Sequence, residues 1–354
     1  MKVLHYVDDN VLSWAHPYIQ LLRALRDLGC ENVMVCRPHG TLSSLLSEAG
    51  FEVHCYRPLF GTIPQVAINF QKIVRAVQPD IIHTRLSSAA NIGGMYGKKL
   101  NIPVLATIDK FPNKKYYLNA DLLLPCSTPV AKFMASQGIP EQKMIVIPNA
   151  VDVKSYAKNS SVRDSLRKAE GLTDDNICFL GMGRFVDWKG FDDLLRGFAE
   201  FVRGSNDPEK FVLWLAGDGP EYNDLQSLSY KLEINNSVKF WKFVDDVKPL
   251  LWGADVYIHP SWGDEAFGLS LLEAMSAGLP VIASQSGGMT EILNDSQGLL
   301  FPRRDIETLA ECMRESVTKA EALSLAALSR AWDFDVKVIA QKTLDVYENI
   351  LRHA

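Results

Sequence analysis

The stretch His259-Pro-Ser-Trp-Gly-Asp-Glu265-Ala-Phe-Gly268-Leu-Ser-Leu-Leu-Glu273-Ala-Met-Ser-Ala-Gly278-Leu-Pro280-Val-Ile-Ala283 decides how this chain is read. An apolar run, Val256–His259, enters a polar loop with two glycines. A helix then begins near Gly268–Leu269 and stops at Gly278, and a second apolar run, Pro280–Ala283, follows. Apolar run, loop, helix and apolar run in this order make one β-α-β unit of a parallel sheet. Backbone N–H groups at such a helix start are unpaired and carry the positive end of the helix dipole, so Phe267, Gly268, Leu269 and Ser270 form a candidate pyrophosphate cradle. Glu265 stands just ahead of the helix and Glu273 about one turn inside it. Each carboxylate can accept from two hydroxyls, so one can grip a sugar and the other the ribose of a nucleotide. Alone, two glutamates eight apart also describe a solvated helix face; within this strand, loop and helix they point to a ligand.

The same alternation runs through the whole chain. In the first half the expected strands are Val3–Val7, Val33–Cys36, Val53–Tyr56, Ile81–His83, Val104–Ile108, Leu122–Pro125 and Met144–Ile147, with helices such as Tyr18–Leu28 and Ala67–Val77 between them. After Pro148-Asn149-Ala150-Val151-Asp152 comes a helix-like stretch, Lys154–Glu170. A second series follows: Cys178–Gly181, Phe211–Ala216, Val238–Phe240, Val256–His259, Pro280–Ala283 and Gly298–Phe301. The expected division is therefore 1–152, 153–334 and a closing helix, 335–354, packing back on the first domain. A length of 354 residues suits two α/β domains and a cleft between them. With 47% hydrophobic and 22% charged residues, the composition excludes a disordered, collagen-like or disulfide-rich chain.

Six scattered cysteines without C-x-x-C spacing read as reduced, buried thiols of a cytosolic protein. MKVLHYVDDN reads as a first strand and an acidic turn, not a signal peptide, and no apolar run approaches a membrane span. Residues 1–170 hold 20 Lys and Arg against 13 Asp and Glu, and residues 171–354 hold 17 against 29. A basic first half suits an anionic partner such as a phospholipid surface or a phosphorylated acceptor, though solvated helices give the same count. The stretch with Lys98, Lys99, Lys110, Lys114, Lys115, Tyr116 and Tyr117 mixes cations and aromatics, which suits an anionic membrane interface, single-stranded nucleic acid or simply a solvated loop. Nothing else indicates nucleic acid.

Glu265 and Glu273, with Phe267-Gly268-Leu269 and Glu273-Ala274-Met275 around them, resemble the E-x7-E signature of glycosyltransferase family 4, retaining enzymes of the GT-B fold. A second match is Gly181-Met-Gly183-Arg184-Phe-Val-Asp-Trp-Lys189-Gly190, a strand and a glycine turn followed by two cations. Ala216-Gly217-Asp218-Gly219-Pro220 and Gly287-Gly288 with Glu291 look like further landmarks of the fold. The resemblance implies two Rossmann-like α/β domains facing a cleft, a nucleoside diphosphate sugar as co-substrate with UDP favoured, and no cofactor or metal. It also implies a carbohydrate or glycolipid acceptor, in polysaccharide or lipopolysaccharide assembly, and a cytoplasmic protein, peripheral at the inner face of the membrane. By the resemblance, Gly183, Arg184 and Lys189 clamp the donor phosphates, and Val244 contacts the base through its backbone.

The first half departs from the family pattern. Where members carry a Gly-Gly pair this chain has Leu12-Ser13, and where they carry a His after about the fifth strand it has Asp109. His83, His16 and Asp109 nonetheless lie at strand ends or the loops after them, where open α/β sheets hold ligands, although His83 suits a structural histidine nearly as well; His16 and Asp109 complete the expected catalytic set with Arg184, Lys189 and Glu265. The rival expectations are a sugar-nucleotide epimerase and a non-catalytic sugar-nucleotide-binding partner. A nicotinamide dehydrogenase is excluded, since no G-x-G-x-x-G follows the first strand.

Overall fold

The computed structural model describes residues 1–9, 14–58, 67–294 and 296–353. The chain forms two units, Met1–Val151 with Phe334–Ala354, and Asp152–Asp333. The first holds β1 (Lys2–Val7), β2 (Glu31–Cys36), β3 (Glu52–Cys55), β4 (Ile81–Arg85), β5 (Val104–Ile108) and β6 (Leu122–Pro125) in the order β3-β2-β1-β4-β5-β6. The second holds β7 (Ile177–Met182), β8 (Phe211–Ala216), β9 (Val238–Trp241), β10 (Val256–His259), β11 (Val281–Ser284) and β12 (Leu299–Phe301) in the order β12-β11-β10-β7-β8-β9. Every neighbouring pair is parallel. Parallel strands need crossover helices that cover both faces, which is why the strands are continuous apolar runs: Val3 to Val7 is buried throughout. Numbered within its own unit, each sheet has the order 3-2-1-4-5-6, with its direction of winding reversed between the first and fourth strands. Open sheets of this kind hold ligands at the carboxyl ends of the two strands flanking that reversal. Those pairs are β1 and β4 in the first unit, and β7 and β10 in the second.

Each unit has its own core. In the second, Phe179, Phe198, Phe201 and Phe211 pack ring to ring, the tightest pair being Phe201 and Phe211 at 4.6 Å between centroids. Fully burying each such side chain stabilises the unit by roughly 1.5–3 kcal/mol. Arg167, on the helix Ser160–Ala169, is buried with Asp255 (2.9 Å), which also accepts from Arg163 (2.5 Å) and from the N–H of Cys178 (2.8 Å). This network ties the helix to the start of β7.

In the first unit the last helix, Val336–His353, sets Ile339, Ala340, Leu344 and Tyr347 against Val3, Leu25, Ile81 and Leu105. His83, expected at the ligand-facing edge, is committed to this seam. Its Nδ1 lies 2.5 Å from the Tyr347 hydroxyl and its Nε2 2.7 Å from Thr107, and burial holds its pKa well below the ordinary histidine value.

Three expectations need correction. Met144–Ile147 is no strand: it makes a single bridge, Leu123 with Met144, and two N–H bonds to the carbonyls of Leu123 and Pro125 before Pro148 turns it away. The stretch from Lys154 to Glu170 is broken into a 3-10 turn, Val153–Tyr156, and the helix Ser160–Ala169, because the Asn159 side chain accepts from Val162 N and caps a new helix. Cys55 is exposed; the other five cysteines are buried thiols. Leu12-Ser13 lies outside the described residues.

Candidate active site

At the carboxyl ends of β7 and β10 the second unit brings together two loops that are distant in sequence. Gly190 lets them meet. It has φ 68°, and a Cβ there would collide with the carbonyl of Pro260, so the turn after β7 rests directly on the loop after β10. Gly287 does the same from the other side: with φ 48°, its missing Cβ leaves room for the backbone of Glu265, whose carbonyl accepts from Gly288 N at 2.8 Å. Glu265 is thus pinned by its main chain before its side chain makes any contact.

Lys189 closes a short 3-10 turn, Asp187–Lys189, and its ammonium bonds Glu265 Oε1. Ser261 Oγ donates to the same oxygen at 2.9 Å, and His259 Nε2 lies 3.1 Å from it. Lys189 and Glu265 are only 17% and 12% exposed. Burial alone would raise the Glu265 carboxyl. The His259 hydrogen bond and the Lys189 charge outweigh it and hold Glu265 ionised, well below the ordinary carboxylate range. Burial lowers His259 against the pull of Glu265.

The helix Leu269–Ser276 begins at Gly268, with no side chain capping its first turn. The N–H groups of Leu269 and Ser270 therefore stand at a positive helix end. Phe267 is buried beneath the turn. Arg184, just past Gly183, is exposed, and its side chain makes no hydrogen bond or ion pair among the described residues. A cation with free N–H donors, a lysine in reach of a carboxylate and an uncapped helix start are the kinds of group that attract anions.

Glu273, read from the sequence as a hydroxyl-gripping carboxylate, is half-buried and accepts from the Tyr156 hydroxyl at 2.9 Å. Burial, against the Tyr156 bond and aided by Asp246, pushes it up to about 7. Val244 is half-buried in the loop that follows β9.

His16 and Asp109 belong to the first unit. Asp109 follows β5 and faces Arg85 at 3.3 Å, its other oxygen buried without a hydrogen bond. The Arg85 guanidinium lies over the rings of Tyr18 and Trp14, at 4.9 and 5.6 Å. His16 is exposed on the first turn of the helix Ala15–Asp27, and no hydrogen bond or ion pair joins it to Asp109. In the basic stretch Lys98 bonds Asn119 at 3.2 Å and Lys114 bonds the Gln137 carbonyl, while Lys115 lies over the Tyr116 ring. Tyr117 is buried, and Leu118 is exposed. Among the described residues no helix is long and apolar enough to cross a membrane, and no group of three or more His, Cys, Asp or Glu is placed to hold a metal ion.

Four residues in these contacts had not been singled out. His259 and Ser261 lie within the quoted stretch, and their position at the end of the apolar run Val256–His259 and just after it was the available signal. Tyr156 and Arg85 carry no local signal, since their partners Glu273 and Asp109 are distant in sequence.

Two family models match the chain: Glycosyltransferase Family 4 over residues 18–155 and Glycosyl transferases group 1 over residues 162–325. Among curated relatives, the lipopolysaccharide core biosynthesis glycosyltransferase LpsE of Rhizobium meliloti (strain 1021) is 25% identical over 281 residues, 78% of this chain and 77% of that one. Anabaena Alr3699/HepE in complex with UDP has a TM-score of 0.86 at 22% identity, over 99% of this chain and 100% of that one. A glycosyltransferase from Rickettsia africae ESF-5 has a TM-score of 0.87 at 21% identity, over 100% of this chain and 99% of that one. Both solved structures share the fold.

Proposed function

Because the chain belongs to glycosyltransferase family 4 it is a glycosyltransferase, and we propose that it moves a sugar from a nucleoside diphosphate sugar, UDP first among the carriers, to a hydroxyl of a carbohydrate or glycolipid with retention of configuration. One observation supports this above the others: Lys189, Glu265 and the uncapped helix start at Gly268 converge at the carboxyl ends of the strands where the second sheet reverses. A diphosphate brings negative charge that grows as the glycosidic bond breaks. Arg184, Lys189 and the N–H groups of Gly268, Leu269 and Ser270 are the groups to receive it. Glu265 takes sugar hydroxyls, Glu273 takes ribose hydroxyls, and the backbone at Val244 meets the base. The leaving phosphate oxygen takes the proton of the acceptor hydroxyl. Asp109 and His16 serve the acceptor side. No cofactor takes part.

LpsE is named for lipopolysaccharide core biosynthesis, and a cell-surface glycan or glycolipid is the proposed acceptor class here as well. The lysines around Tyr116, with the exposed Leu118 (52%), suit docking at an anionic membrane surface, with the protein peripheral on its cytoplasmic side. The test incubates the purified protein with UDP-sugars and a panel of glycolipid and oligosaccharide acceptors, measuring UDP release and the anomeric configuration of the product by NMR. Retained transfer is expected. Inverted product would refute the retaining mechanism, an epimerised donor without transfer would make the protein an epimerase, and donor binding without turnover would leave it a binding partner.

A further inference from the structure

Glu265 Oε1 receives three donors, Lys189 Nζ, Ser261 Oγ at 2.9 Å and His259 Nε2 at 3.1 Å, whereas Oε2 has no hydrogen-bond partner among the described residues. A carboxylate oxygen offers about two lone-pair directions, so three donors on one oxygen are more than it can serve equally. The three also differ in mobility. His259 is 2% exposed, and its Nδ1 faces two hydroxyls, Ser270 at 3.4 Å and Tyr257 at 3.5 Å. Those hydroxyls can donate to Nδ1, which assigns the ring proton to Nε2 and directs it at Glu265. Ser261 is fully buried, and its carbonyl accepts from the Ser284 hydroxyl at the end of β11. Lys189 alone has a flexible stem and lies beside the exposed Arg184 turn.

We propose that His259 and Ser261 are positioning residues that hold Glu265 by Oε1 and present Oε2 to the donor sugar, and that Lys189 is a removable third donor which passes to the diphosphate when the donor arrives. On this view Glu265 stays ionised and fixed after Lys189 leaves, because two buried neutral donors remain on it. The site thus recognises the two parts of its ligand with separate groups: Lys189 the diphosphate, the His259–Ser261–Glu265 set the hydroxyls of the sugar. The proposal rests on Glu265 binding the sugar of a nucleoside diphosphate sugar, as proposed above, and adds the residues on which that depends.

The test measures by calorimetry the affinity for UDP and for UDP-glucose, UDP-galactose and UDP-N-acetylglucosamine, and takes the ratio of the best sugar conjugate to UDP. His259→Ala is expected to lower that ratio about tenfold while changing UDP affinity less than about threefold. His259→Gln, which can place an amide N–H near the lost Nε2–H, restores most of the ratio. A merely structural role for His259 would lower both affinities together. Ser261→Ala, a change of one hydroxyl that leaves the fold least disturbed, gives a smaller loss in the same direction. Lys189→Ala lowers UDP affinity and leaves the ratio in place. Glu265→Ala is the reference and abolishes the advantage of the sugar conjugate. If Glu265→Ala removes that advantage while His259→Ala and Ser261→Ala both keep it, the positioning role is wrong and the sugar-binding role of Glu265 stands. If the wild type shows no advantage of any sugar conjugate over UDP, or Glu265→Ala keeps it, the sugar-binding role falls and the positioning role with it.

Discussion

Replacing Glu273 by Gln is expected to stabilise the protein above neutral pH and to leave it nearly unchanged below about pH 4.5. Burial first, with Asp246 in support and the Tyr156 hydrogen bond in opposition, lifts the folded-state carboxyl from its ordinary 4.5 to about 7. Between those values the folded chain keeps a proton that the unfolded chain has lost, so the stability this proton contributes is present below about 4.5 and is lost as pH rises through about 7. At 1.36 kcal/mol per pH unit the loss is at most about 3 kcal/mol, and water at the half-buried carboxylate reduces it to about 1–2 kcal/mol. Gln stays neutral and keeps an oxygen for the Tyr156 hydroxyl. Thermal melts of wild type and Glu273→Gln at pH 4 to 8 should coincide at the acid end and separate at pH 8, with the variant higher by about 2–8 °C. UDP binding at pH 8 should weaken about tenfold in the variant, because an amide oxygen accepts from hydroxyls less strongly than a carboxylate. A melting difference that is flat with pH, or a variant less stable at pH 8, would refute this assignment of charge at Glu273.

Further predictions follow from single contacts. Asp255→Ala should cost about 3–5 kcal/mol in urea unfolding, since it strands the buried Arg167 together with Arg163. Tyr347→Phe leaves His83 Nδ1 unpaired under the last helix and should cost about 1–3 kcal/mol, read as faster amide exchange along Val336–His353. The first unit should also lose stability as pH falls from about 6.5 through about 4, because burial, against the Asn32 hydrogen bond, lowers His5 to about 4 while the unfolded residue protonates near 6.5. His5→Gln should flatten that acid slope in a pH series of melts.

Much of the second unit was legible because its strands are buried on both faces and its glycines stand where backbones touch. The stretch around Glu265 marks a strand end, a loop and a helix start, and the structure places them at the reversal of the sheet. What escaped depends on distance along the chain. Tyr156 meets Glu273 and Arg85 meets Asp109 through tertiary packing, and no periodicity in the sequence records either pair. His83 shows the converse: a histidine in the strand Ile81–Arg85 looks like a ligand-facing group until the last helix supplies Tyr347 as its partner. Met144–Ile147 has the apolar pattern of a strand, but a proline follows it and only one bridge forms.

The most direct test of the central claim is calorimetric titration of UDP, GDP and ADP into the wild type and Arg184→Ala at two salt concentrations. Saturable binding of one nucleoside diphosphate is expected, weakened at least tenfold in Arg184→Ala and less sensitive to salt there, because a phosphate-binding cation has been removed. No saturable binding to the wild type, or equal binding to the variant at both salt concentrations, would contradict a diphosphate site at the carboxyl ends of β7 and β10.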